Sequence, residues 1–316
     1  MPLGVSLRLL SGTATYSMER ILDMWVGVEL QPRSQEVSQG SRGAFNQALA
    51  LACQVGARVT IMHSTWHEGR TVPIGDAGKA ALDAMVTEAI GAGLRTRLEV
   101  TDQRPWLALL RAALNESADL ILVGKRDRLE APSGRRLGSV ATKLVRKCPA
   151  PVWVVKPGHD LEHKLILVAT DLTGVGDQAL GWAASLARWR GAALHIVHAW
   201  RHDSEAQERF QGDDPEAWQE ELSNLREETR VAVLERCGNL DLSAPPTVHL
   251  SRKSPARAIK ETVGHLVPDL LVLGSLSRAG RAGIFVGETA ERLMGRLGCS
   301  LLVLKPDGFE CPVAAD

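Results

Sequence analysis

The sequence lacks any apolar run long enough to cross a bilayer. Its apolar runs, such as residues 165–170, have the length of a strand, whereas a transmembrane helix needs about 20 apolar residues. The chain also lacks net charge, because 37 Lys and Arg balance 37 Asp and Glu. A chain-wide basic footprint is therefore absent, and neither membrane insertion nor nucleic-acid binding is expected.

Closely spaced cysteines are missing as well. The five cysteines are scattered and form no C-x-x-C pair, which predicts reduced thiols and a cytoplasmic protein. Cys148 and Cys299 precede the last strand of each half and are expected to be buried as small hydrophobic residues. His195 and His198 are three residues apart on a predicted strand. They therefore face opposite sides, and no metal site is expected.

The common catalytic motifs are absent too. The chain has no G-x-x-x-x-G-K-[ST], no G-x-S-x-G and no S-G-G-x-D-S of the ATP pyrophosphatases. Gly174 and Gly176 belong to a G-x-G-x-x-x-x-G spacing, which differs from the dinucleotide fingerprint. No arrangement of Ser, His and Asp, or of Cys and His, indicates a nucleophile. The chain is therefore expected not to be an enzyme.

What the sequence does contain is an internal repeat. The segment GARVTIMHSTW (56–66) matches GAALHIVHAW (191–200), and DLILVGK (119–125) matches DLLVLGS (269–275). We expect a disordered extension at 1–17, a first domain at 18–157, a second domain at 164–306 and a tail at 307–316. For the extension two alternatives stay open, a signal peptide and a translation start at Met18.

Each half alternates apolar strands with amphipathic helices. The predicted strands are 20–28, 57–64, 95–100, 119–124 and 151–155, then 164–170, 192–199, 246–251, 269–274 and 300–304. The predicted helices are 41–55, 76–92, 104–117 and 138–147, then 176–190, 214–237, 255–267 and 287–297. Continuous Val, Ile and Leu runs suit parallel strands covered on both faces. The pattern predicts an α/β fold with two tandem, doubly wound, five-stranded parallel sheets.

Ligands of such sheets bind beyond the carboxyl ends of the strands. Asp171 follows strand one of the second half, and Glu29 has the same place in the first half. A carboxylate there could accept hydrogen bonds from a ribose or an adenine amino group. Alternatively, it caps the next turn. Both readings are open at this stage.

A second group of candidates follows strand four. The second half has Gly274, Ser277, Gly287, Glu288 and Thr289, and the first half has Gly124, Asp127, Gly138 and Ser139. In each half the glycines precede a predicted helix, which is the context of an anion site at a helix N-terminus.

The segment after strand four in each half resembles the nucleotide loop of the universal stress protein family, whose pattern is G-x-x-G-x9-G-[ST]. The Asp after strand one and the Lys-Pro after strand five fit the same family. The tandem halves, together with GETAERL and RKCPAPVWVVKP, look like its two-domain E-type branch. The resemblance covers nearly the whole chain from Met18, twice over.

The resemblance implies strand order 3-2-1-4-5 and an adenine-nucleotide-hydrolase-like fold. ATP-binding members hold adenine and ribose near the first-strand Asp and the phosphates across the glycine loop. The matching residues are Asp171, Gly274 and Gly287, and in the other half Gly124, Gly138 and Ser139. Single-domain members pair their fifth strands as dimers, so an internal pseudo-dimer is expected here. A role in survival of stress, including DNA-damaging agents, is implied as well.

Both halves depart from the nucleotide pattern. In the second half Ser277 replaces the middle glycine and Glu288 replaces the hydroxyl. A Glu in the first helical turn gains about 0.3–1 kcal/mol from the helix dipole and repels a triphosphate. In the first half Asp127 replaces the middle glycine, the loop has one extra residue and Glu29 replaces Asp. This half keeps Gly138 and Ser139, however, and adds basic residues: Lys125, Arg126, Arg128, Arg135 and Arg136. Each half therefore carries part of a nucleotide site.

We therefore expect a non-enzymatic protein that binds a small or lipid-like ligand, or a protein partner. The alternative is an ATP-binding switch with slow hydrolysis, so ATP is the one cofactor left open.

Overall fold

The computed structural model describes residues 21–116, 118–125, 137–158, 163–200, 215–275 and 297–313. The first half contains β1 (Asp23–Val28), α1 (Gln39–Val55), β2 (Arg58–Ser64), β3 (Trp66–His67), β4 (Arg70–Thr71), α2 (Asp76–Gly91), β5 (Thr96–Thr101), α3 (Pro105–Asn115), β6 (Leu120–Gly124), α4 (Ser139–Lys147) and β7 (Val152–Val155). The second half contains β8 (Leu165–Thr170), α5 (Gly174–Arg190), β9 (Ala193–Ala199), α6 (Pro215–Cys237), β10 (Thr247–Ser251), α7 (Pro255–Leu266), β11 (Leu270–Gly274) and β12 (Ser300–Leu304).

Local sequence signals explain where these helices begin and end. Ser38 caps α1, because its side chain accepts a hydrogen bond from the N–H of Ser41. Gly56 ends α1 at φ 73° and Gly191 ends α5 at φ 64°, a left-handed conformation that glycine adopts without steric cost. The first residue of α3 is Pro105, which needs no intrahelical donor there.

The long strands form one ten-stranded sheet in the order β10-β9-β8-β11-β12-β7-β6-β1-β2-β5. Counted within each half, this is the order 3-2-1-4-5. Strand pairing inside each half is parallel, as in the registers of β1 with β2 and of β8 with β9. The expected α/β class with tandem, parallel-stranded halves is confirmed.

The two halves meet where the fifth strands, β7 and β12, pair antiparallel. Val154 lies opposite Leu301, and Val152 lies opposite Val303. Between them Trp153 is completely buried. The antiparallel pairing that the family resemblance implied is therefore present in this structure.

Two buried lysines cross the same junction. The Nζ of Lys125, from the first half, donates to the carbonyl of Leu297 at 2.6 Å. The Nζ of Lys305, from the second half, donates to the carbonyl of Arg146 at 3.3 Å and to Ser275 Oγ at 2.9 Å. Burial lowers the pKa of Lys305 to about 8, because the charged form loses its hydration.

Helices cover both faces of the sheet. On one face α1, α2, α5 and α6 enclose an apolar core that runs through both halves, and on the other α3, α4 and α7 enclose a second core. Cys148 and Cys299 are buried in the second core, as predicted. Burial raises the pKa of Cys148 to about 12 and that of Cys299 to about 11.

Some predictions from the sequence differ from the structure, and others concern residues that the structure does not describe. The hairpin of β3 and β4 was not predicted, and α1 begins at Gln39 rather than at residue 41. The predicted extension 1–17 and most of the predicted helix 287–297 fall outside the described residues, so they stay predictions, as do the domain boundaries. In the part of the chain that is described, no helix combines the length and the apolar character that a membrane span requires.

Proline at the junction is expected to loosen the two halves. Val154→Pro or Val303→Pro removes an N–H and blocks the ladder, and a buried carbonyl left without its donor costs about 1–3 kcal/mol. Urea unfolding and limited proteolysis of the 158–163 connection measure the effect. Val154→Ala, which keeps the N–H, is the control and should stay the more stable. Equal stability and equal proteolysis of the proline variants and the parent would show that this ladder does not hold the halves together.

Candidate functional site

In the second half, the turn after strand one closes directly onto helix α5. Asp171 Oδ1 accepts hydrogen bonds from the backbone N–H of Thr173 at 3.1 Å and from its hydroxyl at 2.5 Å. Leu172 between them has φ 61°, a left-handed conformation that an L-residue adopts at some cost. These contacts close an Asx turn just before α5, whose N-cap is Thr173. A ligand role for Asp171 stays a prediction.

Glycines let α5 approach the strand ends closely. A Cβ on Gly274 would lie 2.7 Å from Val175 Cγ2, and a Cβ on Gly176 would lie 2.9 Å from Asp171 Oδ1. Real Cβ atoms do not approach so closely, so the packing of α5 on β8 and β11 alone requires glycine at both positions. The glycine after strand four therefore has a structural reason that is independent of any phosphate.

In the first half, too, the end of strand four closely approaches a helix, but the connection from strand one to that helix is longer. A Cβ on Gly124 would lie 2.2 Å from the backbone carbon of Gly40, so the end of β6 touches the start of α1. The chain takes ten residues from Glu29 to Gln39, where α1 begins, but only three from Asp171 to Gly174, where α5 begins.

The longer connection folds into a narrow loop. Leu30 and Val37 form an antiparallel bridge, and the N–H of Gln31 donates to the carbonyl of Glu36 at 2.8 Å. The N–H of Glu29 donates to Ser41 Oγ at 2.9 Å, while Glu29 itself is exposed. The first half therefore carries a raised wall where the second half has a tight turn.

This wall borders a cleft of about 130 Å³ at the carboxyl ends of β1, β2 and β6. The opposite side is built by the residues around the β3–β4 hairpin and by the start of α4. Most lining side chains are apolar: Val28, Leu30, Pro32, Met62, Trp66, Val72, Pro73, Ile74, Pro105, Leu109, Val123, Val140 and Ala141. Among the described lining residues there is no Lys or Arg. The one carboxylate is that of Glu29.

Eight lining side chains are polar: Glu29, Gln35, Ser41, His63, Ser64, Thr65, His67 and Ser139. His63 is buried, its Nδ1 lies 2.9 Å from the carbonyl oxygen of Val28, and burial lowers the pKa of its imidazole. Because a carbonyl can only accept, Nδ1 donates and the neutral ring keeps Nε2 as an acceptor. His198 makes the equivalent contact with Thr170, so both histidines occupy inherited hydrogen-bonding positions. No group of three or more potential metal ligands occurs among the described residues.

The structure brings together only part of the predicted site. Gly124, Gly138 and Ser139 all line the cleft in the first half. Asp171 and Gly274 lie in the second half, each beside the start of α5. The remaining candidates lie outside the described residues: Asp127, Ser277, Gly287, Glu288 and Thr289.

Sequence reasoning missed the two loops that wall the cleft. The first is the connection between β1 and α1, and the second is residues 72–74 after the β3–β4 hairpin. The extra length of the first connection, relative to its counterpart in the second half, was the signal that could have revealed it.

A comparison with protein families identifies the same two-part organisation of the chain. The sequence profile of the universal stress protein family matches residues 37–156 and again residues 162–305. The chain therefore belongs to the universal stress protein family, with two tandem copies, as the resemblance indicated.

Named relatives support the two-domain branch. Universal stress protein E of Escherichia coli (strain K12) is 27% identical over 240 residues, which cover 72% of this chain and 73% of that protein. Universal stress protein Mb2028c of Mycobacterium bovis is 29% identical over 237 residues, covering 72% and 73%.

Solved structures show the same fold. The protein PA1789 from Pseudomonas aeruginosa PAO1 superposes with a TM-score of 0.70 at 20% identity, covering 92% of this chain and 95% of that chain. A universal stress protein from Archaeoglobus fulgidus DSM 4304 gives a TM-score of 0.61 at 20% identity, covering 90% and 99%.

The packing role of the strand-four glycines can be tested by adding one methyl group. Gly274→Ala is expected to lower the free energy of unfolding by about 1–3 kcal/mol, as overpacking does. Val175→Ala should restore part of this loss, because the clash is with the Val175 side chain. Gly124→Ala should cost more, since the clash is with the backbone of Gly40.

Urea unfolding measures all of these variants. Gly264→Ala in α7 is the matched control, because a Cβ there meets nothing within 4 Å and alanine favours the helix. A Gly274→Ala protein as stable as the parent, or one that Val175→Ala does not rescue, would contradict the packing account.

Proposed function

We propose that this universal stress protein binds a small, mainly apolar ligand in the cleft of its first half and does not turn it over. The observation that carries the proposal is the lining of the cleft by the described residues, most of whose side chains are apolar. Burying apolar surface there contributes about 25 cal/mol per Å². In keeping with its family and its unpaired cysteines, we propose that it serves in the cytoplasm, in survival of stress that includes DNA-damaging agents.

The polar groups of the cleft suit a ligand with few hydrogen-bonding atoms. The Nε2 of His63 accepts, while Ser139 at the start of α4 offers a hydroxyl. Clefts that combine an apolar lining with a few fixed polar groups are typical of small-molecule sites.

An ATP-binding switch is the second candidate, and one observation favours it. Gly138 and Ser139 line the cleft at the N-terminus of α4, where backbone N–H groups favour a phosphate. Against it, the exposed Glu29 carboxylate lies at the same cleft and repels a triphosphate. We therefore propose an apolar molecule as the ligand and keep ATP as the second candidate.

The pairing of β7 with β12 supports a pseudo-dimer in which the second half is an internal partner. Both fifth-strand edges are occupied within one chain. Self-association through these edges is therefore not required, and any protein partner would use another surface.

Calorimetry with 1-octanol and with ATP plus Mg²⁺ separates the two candidates. We expect saturable octanol binding and no submicromolar affinity for ATP. Val72→Trp fills the rim of the cleft and should weaken octanol binding by roughly tenfold or more, since 1.4 kcal/mol corresponds to a factor of ten. Val231→Trp, at a position 43% exposed on α6, is the control and should bind octanol like the parent.

Two results would overturn the proposal. One is octanol binding that is absent or unaffected by Val72→Trp, and the other is submicromolar ATP binding. Native mass spectrometry of the freshly purified chain would then show whether any other small molecule is retained.

A further inference from the structure

Two lysines of α4 share one tryptophan of α3. The Nζ atoms of Lys143 and Lys147 each lie 5.1 Å from the centre of the Trp106 ring. The two Nζ atoms are therefore no further apart than twice 5.1 Å. The two lysines lie on the same side of α4, because they are four residues apart. Two like charges held this close repel one another, and the negative face of the indole offsets only part of that repulsion.

Neither ammonium group is paired with a carboxylate of the described residues. Lys253, by contrast, pairs with Glu261 at 2.5 Å. The indole N–H of Trp106 is enclosed and has no acceptor among the described atoms. Because that N–H is enclosed by protein atoms, a bound molecule does not reach it. Two cations therefore stand together without an anion among the residues that the structure describes.

None of the three residues Trp106, Lys143 and Lys147 lines the cleft, but the helices that carry them each contribute lining residues close to them in sequence. Trp106 follows Pro105, and Lys143 lies one helical turn after Val140; Pro105 and Val140 both line the cleft. Helices α3 and α4 pack against each other, so the row Val140, Lys143 and Lys147 leads away from the cleft along α4. A molecule seated in the cleft that leaves it along this row meets Lys143 first.

We propose that Lys143 and Lys147, held beside Trp106, bind the anionic head group of an amphipathic ligand whose apolar body occupies the cleft. This inference rests on the proposed function and narrows it to apolar molecules that carry a carboxylate or a phosphate. The head group bridges the two ammonium groups and relieves their repulsion. Charge-assisted hydrogen bonds of this kind are the strong ones.

Three probes test the proposal by calorimetry on the full chain: octanoate, 1-octanol and acetate. We expect octanoate to bind roughly tenfold more tightly than octanol, since a hydrogen bond to a charged group contributes about 1.5–3 kcal/mol. Acetate should bind far more weakly than octanoate, because it lacks the apolar body. Added salt should reduce the preference for octanoate, as it screens exposed charges.

Variants of the two lysines locate the head group. Lys143→Gln with Lys147→Gln should abolish the preference for octanoate and leave octanol binding unchanged. Lys143→Arg with Lys147→Arg keeps both charges and should keep the preference. Lys164→Gln with Lys260→Gln removes the same charge from exposed positions of the second half and should also keep it.

The outcomes separate the two claims. Octanol binding that persists while octanoate binds no more tightly, or a preference that survives in the double Gln variant, overturns the head-group site and leaves the cleft intact. Acetate binding as tight as that of octanoate overturns the link between the anion and the cleft. Failure of both octanol and octanoate to bind overturns the proposed function together with this inference.

Discussion

The antiparallel ladder between β7 and β12 is the interaction on which the rest of the molecule depends. Each half alone would end in an apolar strand, and an open apolar edge invites uncontrolled pairing. Joining the two edges buries Trp153 completely and lets the cores on both faces run through the whole sheet. Lys125 and Lys305 reinforce the ladder with hydrogen bonds to carbonyls of the opposite half.

Once joined, the halves are free to differ at their strand ends. In the second half Asp171 caps a short turn, and α5 packs onto it through Gly176. In the first half a longer connection rises from Glu29 to Ser38 and walls a cleft. Among the described residues, the first half therefore has a cleft at its strand ends, and the second half has a tight turn after its first strand. The length of a single connection accounts for much of this difference.

The sequence predicted the sheet well because its strands are continuous apolar runs that occur twice in the same order. It could not separate the two reasons for Gly274, because a phosphate cradle and a tightly packed helix both require a missing Cβ. The strands β3 and β4 have two residues each, too short for any hydrophobic period, so their hairpin went unseen. Trp106 and Lys143 are far apart in sequence, and only the packing of α3 on α4 brings them together.

The central claim is that the ligand occupies the first half and leaves the second half unchanged. Hydrogen–deuterium exchange of the full chain, with and without 1-octanol, tests it most directly, because exchange reports local opening at each amide. The account predicts slower exchange in residues 30–38 and 64–75, which wall the cleft, and unchanged exchange in the turn from Thr170 to Thr173. Slower exchange confined to the second half, or no change around the cleft, would contradict it.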